Sequence, residues 1–345
     1  MNQTLTHPLP SHHRAWTWVR NGAPRTLTLQ RMALPTPANG QVLVRNAVIG
    51  LNPVDWKLIE SAPEGWREGH IPGVDAAGDV VSVGADVSAA WIGRRVAYHT
   101  NLQKPGSFAE FTAVDARALL RVPDAVDFEM AASVPCSALT AFLAIEKVPV
   151  QRDQPVLISG AGGAVGNYLV QFAAMRGFIV TAMAHPRHWD RLRTLGAAAC
   201  LASPAEDAPL QTGQQRFHAV IDSVNAEHAA RMADSLLANG HLVCIQGRPA
   251  EWVCPPFGRT LSMHEVALGA LHVYGDDEAW SRLVAAGEQM LQQIAAGVLS
   301  PEARVVRPFD VLPQCLEDLR NRQFSGKALV RVRPEANDPP HGLPA

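Results

Sequence analysis

Residues 156–166, Val-Leu-Ile-Ser-Gly-Ala-Gly-Gly-Ala-Val-Gly, restrict the fold of this chain more than any other stretch. A short apolar strand, Val156–Ser159, runs into a glycine turn, and the turn opens an apolar helix over Asn167–Arg176. In such a turn Gly160 permits the sharp reversal, Gly163 lets backbone N–H groups approach a pyrophosphate, and Gly166 lets the helix lie close against the strand. Ala164 and Val165 stand at the mouth of the helix, whose N-terminus turns partial positive charge toward the phosphates. A second strand is expected at Phe178–Met183. The spacing is G-x-x-G-x-x-G and not the commoner G-x-G-x-x-G, so the reading of a dinucleotide site rests on the strand–turn–helix–strand context.

The bulk properties narrow the partners. A chain of 345 residues suits about two domains. With 47% apolar and 18% charged residues it has the composition of an ordinary globular protein. A net charge of −2 speaks against general affinity for nucleic acid or for acidic membranes. Met1–Arg14 lacks the apolar region of a signal peptide, and no apolar run approaches the length of a membrane span. The five cysteines, Cys136, Cys200, Cys244, Cys254 and Cys315, are scattered without a C-x-x-C pair, as reduced thiols in a cytoplasmic protein would be.

The texture of the sequence changes once along its length. From Ala15 to about Asp124, short alternating strands such as Gln41–Ile49, Gly78–Val83, Arg95–Tyr98 and Phe108–Val114 are cut by Gly and Pro. That density of strands predicts a β barrel or sandwich. From Glu129 an alanine-rich helix, Met130–Ile145, leads into the glycine turn. Strands at Val156–Ser159, Phe178–Met183, Ala219–Asp222 and His241–Ile245 then alternate with helices, the pattern of a parallel, doubly wound sheet. A helix over Glu278–Ala295 precedes a last β segment, Ala328–Val332, placed to return to the first domain. The tail, 334–345, is rich in Pro and polar residues and is expected to be disordered.

Several motifs taken together resemble the medium-chain dehydrogenase/reductase superfamily. They are Gly50-Leu-Asn-Pro-Val-Asp-Trp-Lys57, Ile71-Pro-Gly-Val-Asp-Ala-Ala-Gly78, Ile92-Gly-Arg-Arg-Val96, Gly106-Ser-Phe-Ala-Glu-Phe111, Leu139-Thr-Ala141, the glycine turn, Leu195-Gly-Ala197 and Gly326-Lys327. The resemblance is to its zinc-independent quinone oxidoreductase and enone reductase branch. It implies an α/β chain with a GroES-like β-rich catalytic domain and a Rossmann NADP-binding domain. The expected bounds are 1–137 for the catalytic domain, 138–274 for the Rossmann domain, and 275–333 for a return segment that completes the first. It also implies a homodimer in which the nucleotide-domain sheet continues into a second subunit, with His264–His272 as the apolar candidate strand.

The zinc alcohol dehydrogenases of this superfamily hold their metal with Cys, His and a third Cys or acidic ligand. The resemblance places the first of these at Asn52 and the second at Val74, and residues 94–108 contain no cysteine of a structural zinc loop. Asn with Val cannot supply a tetrahedral zinc set. No metal is expected.

The end of the second nucleotide-domain strand discriminates between nicotinamides. NAD enzymes place an acid there for the ribose hydroxyls, whereas a cation suits the 2′-phosphate. Here the strand runs into His185, Arg187, His188 and Arg191, with Asp190 inside the next helix. A basic helix start opposes the helix dipole, which favours a bound anion over a merely solvated surface. NADPH is expected, with Arg187 first and His188 second at its phosphate.

Without a metal, hydride transfer to an enone or quinone is the accessible chemistry, because the resulting anion is delocalised and needs only hydrogen bonds and one proton donor. In related reductases the segment Asn52-Pro-Val-Asp-Trp-Lys57 lies beside the nicotinamide, often with Tyr where this chain has Lys57. Lys57 and Asp55 are therefore candidate catalytic residues, and Asn52 a candidate for orienting the substrate oxygen or the ribose. The plainer alternatives are a helix-capping role for Asp55 and a solvated side chain for Lys57. The resemblance adds Thr140 on the nicotinamide side, and Gln246 and Gly247 lie at a strand end where ligands of such sheets bind. Lys327 resembles a family lysine near the return strand. The expected enzyme is an NADPH-dependent reductase of a small quinone or enone. The alternatives are a carrier-bound enoyl reductase and a non-catalytic NADPH-binding redox sensor.

Overall fold

The protein's computed structural model describes residues 8–203 and 216–333, so the expected disorder of 334–345 lies outside the described residues. The chain divides into two units. One takes in the residues up to Pro135, Trp280–Leu291 and those from Ala303, and the other comprises Cys136–Ala279 and Gln292–Glu302. In chain order the first unit supplies β1 (His12–Thr17), β2 (Thr28–Ala33), β3 (Gln41–Gly50), β4 (Asp75–Val83), β5 (Arg95–His99), β6 (Phe111–Asp115) and β7 (Leu119–Arg121). The second unit supplies β8 (Pro155–Ser159), β9 (Ile179–Met183), β10 (Ala199–Leu201), β11 (Phe217–Asp222), β12 (Leu236–Cys244) and β13 (Ser262–Glu265). β14 (Arg304–Pro308) and β15 (Lys327–Arg331) then belong to the first unit again.

In the first unit β1 and β2 form an antiparallel pair, and the other strands form one sheet in the order β14-β15-β3-β4-β5-β7, with β6 on β3. The return strand β15 pairs antiparallel with the end of β3, Leu329 opposite Gly50 and Val330 opposite Ile49. The core joins Trp18, Trp66, Tyr98 and Phe108 to Phe309, Leu312, Leu316 and Val330, so late residues of the sequence finish a core begun by early ones. Between β3 and β4 runs α1 (Pro53–Ser61), started by proline at its first position, where a missing N–H costs nothing.

The sequence reading needs amending here. Met130–Ile145 is not one helix but α2 (Phe128–Ser133) and α3 (Pro135–Ile145), because Pro135 has no N–H to continue the ladder. β6 starts only at Phe111; Phe108 instead accepts a backbone hydrogen bond from Trp16 at 2.8 Å. His12 and His13 begin β1, which was not expected from the sequence. β14 and the helix at Leu312–Arg320 in the return segment had no counterpart in the sequence reading.

In the second unit the six strands are parallel and ordered β10-β9-β8-β11-β12-β13, the 3-2-1-4-5-6 order of a Rossmann fold. Helices α4 (Ala164–Met175), α5 (Trp189–Thr194), α6 (Ala226–Met232) and α7 (Ala270–Tyr274) belong to this unit. α8 (Asp277–Ala295) and α9 (Leu312–Arg320) follow. α4 starts three residues earlier than expected, straight after Gly163. The expected strand His264–His272 is only partly a strand: β13 ends at Glu265, and α7 takes up Ala270–Tyr274. The order of strands reverses between β8 and β11, which places the C-terminal ends of these two strands at the point where such sheets bind ligands. No helix among the described residues is long and apolar enough to cross a membrane, and the five cysteines form no disulfide.

The contact of α4 with the strand-to-helix turn depends on Gly166. A Cβ there would lie 2.5 Å from the Ala161 Cα, which is backbone and cannot move aside. Gly166→Ala gains about 1 kcal/mol of helix propensity, but overpacking typically costs about 1–3 kcal/mol. The clash is severe enough that the second effect dominates. The variant is expected to melt at lower temperature than the parent by differential scanning calorimetry; an unchanged or higher melting temperature would contradict this packing.

Candidate functional site

The nucleotide end of the second unit is built by the glycine turn. Gly160 adopts φ +67°, and a Cβ there would meet Ser223 Oγ at 2.3 Å, so the reversal and the crowding both require glycine. Gly163 caps α4 with extended backbone and no side-chain hydrogen bond. A Cβ on it would meet nothing nearer than the Gly160 carbonyl oxygen at 3.6 Å, so the space beside it is open. The first-turn N–H groups of a 12-residue helix, which include those of Ala164, Val165 and Gly166, face that end without intrahelical partners. Open space, unspent donors and the helix dipole fit a pyrophosphate.

Ser159, the last residue of β8, fixes the base of this turn. Its hydroxyl donates to Asp222 Oδ2 at 2.5 Å, its carbonyl accepts from Ser223 Oγ at 2.8 Å, and Asp222 Oδ1 accepts from the Val224 amide at 2.9 Å. His228 on α6 closes the cluster through Nδ1 on Asp222 Oδ2. The sequence reading missed this cluster. Its signal was an acid ending an otherwise apolar buried strand, Phe217–Asp222.

After β9 the cations separate by role. Arg191 turns back to the glycine turn, donating to the Gly162 carbonyl at 2.9 Å and to Asn167 Oδ1. Arg187 is exposed and donates from Nε to His188 Nε2 at 3.1 Å. The His188 ring lies over Gly162, whose Cβ would come within 2.6 Å of it. Burial, then the charges of Arg191, Arg187 and His185, lower the His188 pKa, which favours a neutral imidazole. Arg187 and His188 thus stand together beside the turn, whereas Arg191 and Gly162 were not selected from sequence. Gln246 and Gly247 follow the end of β12, with Gly247 at φ +134°, and Thr140 is buried on α3.

In the first unit a buried polar cluster gathers at the start of α1. Lys327 Nζ donates to Asn52 Oδ1 at 2.6 Å and lies 3.6 Å from Asp75 Oδ2. Asn52 Nδ2 donates to the same Asp75 oxygen at 2.9 Å, and the Asn52 amide N–H donates to Asp55 Oδ2 at 2.7 Å. All four residues are buried. The Asn52 side chain is thereby held by Asp75 and Lys327, and Asp55 closes the helix start as a capping residue does. Asp75 was legible only as the neighbour of Val74, and Lys327 only as a family position.

The residues at the expected metal positions do not fit zinc. Asn52 presents an amide already held by Lys327 and Asp75, Val74 has no donor, and a buried ammonium repels a second cation. Among the described residues no three His, Cys, Asp or Glu side chains converge as ligands.

Asp55 and Lys57 do not act as a pair here. Positions i and i+2 do not share a helix face. Asp55 is 1% exposed, whereas Lys57 is exposed with Nζ 5.7 Å from the Trp56 ring. Partial burial lowers the Lys57 pKa. Burial dominates at Asp55 and, with the nearby Asp75 charge, pushes its carboxyl up to about 8 against the pull of the Asn52 amide, Lys327 and the Val74 amide. Tyr98 donates to Asn46 Oδ1 at 2.7 Å and is fully buried, so its pKa rises and its role is structural. Trp66 is 5% exposed and donates to the Leu102 carbonyl at 3.0 Å; it is a core residue.

Comparison with known proteins agrees with this architecture. Residues 38–124 match the family model of the alcohol dehydrogenase GroES-like domain. The chain is 29% identical over 260 residues to the 2-methylene-furan-3-one reductase of Solanum lycopersicum, a match covering 72% of this chain and 65% of that protein. It is 28% identical to the chloroplast envelope quinone oxidoreductase homolog of Arabidopsis thaliana, over 64% of this chain and 71% of the relative. In most such matches the chain spans about half to two thirds of the curated relative. A crystal structure of an alcohol dehydrogenase superfamily protein from Novosphingobium aromaticivorans superposes with a TM-score of 0.81 at 27% identity, covering 93% of this chain and 100% of that one.

A buried carboxyl with a raised pKa has a pH signature. In the unfolded chain Asp55 titrates at about 4, and in the folded protein at about 8. The folded state therefore holds the extra proton between these values, and the stability it contributes is lost as pH rises through that window. Asp55→Asn cannot ionise. Its stability relative to the parent is expected to rise from pH 5 to pH 8.5 in urea melts, and a pH-independent difference would contradict the shift.

Proposed function

Because the chain belongs to the medium-chain dehydrogenase/reductase superfamily, we propose that it is an oxidoreductase transferring a hydride from NADPH to a quinone or an α,β-unsaturated carbonyl compound, without a metal ion. The single observation that carries this reading is the Lys327 ammonium buried against Asn52, one of the two positions where the resemblance puts metal ligands, and against Asp75, the neighbour of the other, Val74. An isolated carbonyl would leave a localised alkoxide that wants a Lewis acid, whereas an enolate or hydroquinone anion is delocalised. Relatives named as a furanone reductase and a quinone oxidoreductase homolog support the same substrate class.

Bound NADPH supplies the hydride. The α4 N-terminus with Gly160, Gly163, Ala164 and Val165 receives the pyrophosphate. Arg187 and His188 receive the 2′-phosphate, and Thr140, Gln246 and Gly247 are the remaining cofactor contacts. Lys57, its pKa lowered by partial burial, supplies charge or a proton to the developing anion, and Asp55 is the second acid. Asn52 acts by position, since its amide is fixed by Lys327 and Asp75. The chain is read as a cytoplasmic homodimer, the edge strand β13 being the one that a second copy would cover.

Steady-state oxidation of NADPH with a panel of quinones and enones tests the function. Turnover confined to carrier-bound acyl substrates would favour the enoyl reductase named among the relatives, and dinucleotide binding without any turnover would favour a sensor. Arg187→Ala is expected to weaken NADPH binding by at least tenfold while leaving NADH nearly unchanged, because only the 2′-phosphate loses a charge-assisted partner; equal losses in fluorescence titrations would remove Arg187 from that role. Lys57→Met keeps most of the apolar stem and removes the charge. A fall in kcat of roughly 10²-fold with unchanged NADPH affinity is expected, and a parent-like kcat would move the donor elsewhere.

A further inference from the structure

One small cavity in the first unit is lined by Asp55, Leu58, Trp66, His70, Ile71, Pro72, Leu102 and Lys104, among others. Two of its lining groups carry buried polar atoms that no side chain or backbone group satisfies: Asp55 Oδ1 and His70 Nε2. The Val74 amide favours the charged form of Asp55 without closing a hydrogen bond to Oδ1. An unsatisfied buried polar atom costs about 1–3 kcal/mol, so two at one cavity point to a shared partner. The space admits about one water molecule, and a buried water commonly joins two to four polar groups. His70 is held in place by its own chain: its ring stacks on Trp66 at 4.2 Å, and its backbone N–H donates to the Arg67 carbonyl at 2.9 Å.

We propose that this cavity holds a water that hydrogen-bonds Asp55 Oδ1 and His70 Nε2, and that Asp55 regains its proton from solvent through this water and His70. The proposal rests on the reading of Asp55 as an acid that is consumed once per turnover. When Asp55 has given up its proton, the water donates one to Oδ1, His70 Nε2–H replaces it on the water, and His70 Nδ1 takes one from solvent. One proton enters, and the imidazole begins and ends neutral. Burial lowers the His70 pKa to about 4, so a neutral ring that switches tautomer is the form available. The charges around Asp55 are Asp75 on β4 and Lys327 on β15, and Lys104 at the cavity wall is paired with Asp115 at 3.1 Å. His70 is a positioning and relay residue and not a substrate contact.

The test uses the full chain and His70→Phe, which keeps a ring on Trp66 and removes both nitrogens, with Asp55→Asn as the spectroscopic reference. Infrared difference spectra at neutral pH should show a protonated carboxyl band that is absent in Asp55→Asn and shifted in His70→Phe. With an accepted quinone or enone, His70→Phe should lose roughly tenfold in kcat with unchanged KM for NADPH, and small acids such as imidazole should restore the rate. His70→Gln, which keeps a hydrogen-bonding side chain but cannot relay by switching tautomer, should retain the parent band position without the parent rate. A carboxyl band identical in parent and His70→Phe, or a His70→Phe rate that is parent-like and indifferent to added acid, would overturn the proposal. Should the parent reduce no quinone or enone, the functional reading fails, while the infrared comparison still decides whether Asp55 and His70 are joined.

Discussion

The Lys327 ammonium, buried between the Asn52 amide and the Asp75 carboxylate, is the interaction on which the arrangement at the start of α1 depends. Its strand, β15, reaches the sheet from the far end of the sequence, so the pair closes only when the return segment has docked on β3. An uncompensated buried charge costs about 3–5 kcal/mol when its partner is removed, so neither Asp75 nor Lys327 tolerates independent loss. Asn52 sits between them as a neutral bridge with one end fixed by each charge. The start of α1 follows from that bridge, and with it the inward direction of Asp55.

The same cluster does not fit a metal centre. A divalent cation would need donors where this chain has Val74, and it would have to displace an ammonium already satisfied. The nucleotide end of the second unit shows a comparable economy. No side chain caps α4, and glycine at 160, 163 and 166 leaves room for a turn, a ligand and a close helix contact respectively. Around it Ser159, Asp222, Ser223 and His228 fix the strand end, so the open part of the turn rests on a rigid base. Arg191 is engaged in holding that turn, whereas Arg187 is exposed and donates to the His188 ring beside it.

Local patterns were legible in the sequence wherever they alone decide the structure. The glycine turn, the parallel strands at Val156, Phe178 and Ala219, and the long helix after Asp277 fall within a few residues of their observed places. What stayed hidden depends on partners distant in sequence. Asp75 and Lys327 are 252 positions apart by their residue numbers, and no periodicity links them. His70 was not selected from the sequence, and only the fold sets it beside the Asp55 cavity. Proline at 135 was visible, yet the apolar run on both sides of it outweighed the break it imposes. The segment after Glu265 was apolar enough for a strand but turns into α7.

The central proposal is that an ammonium-centred cluster, and no metal, supports reduction of a conjugated acceptor by this chain. It is tested most directly by elemental analysis of the purified protein combined with NADPH oxidation assayed with and without a strong chelator. The account predicts substoichiometric zinc and the same rate under both conditions. About one tightly held zinc per chain, with activity lost on its removal, would contradict it.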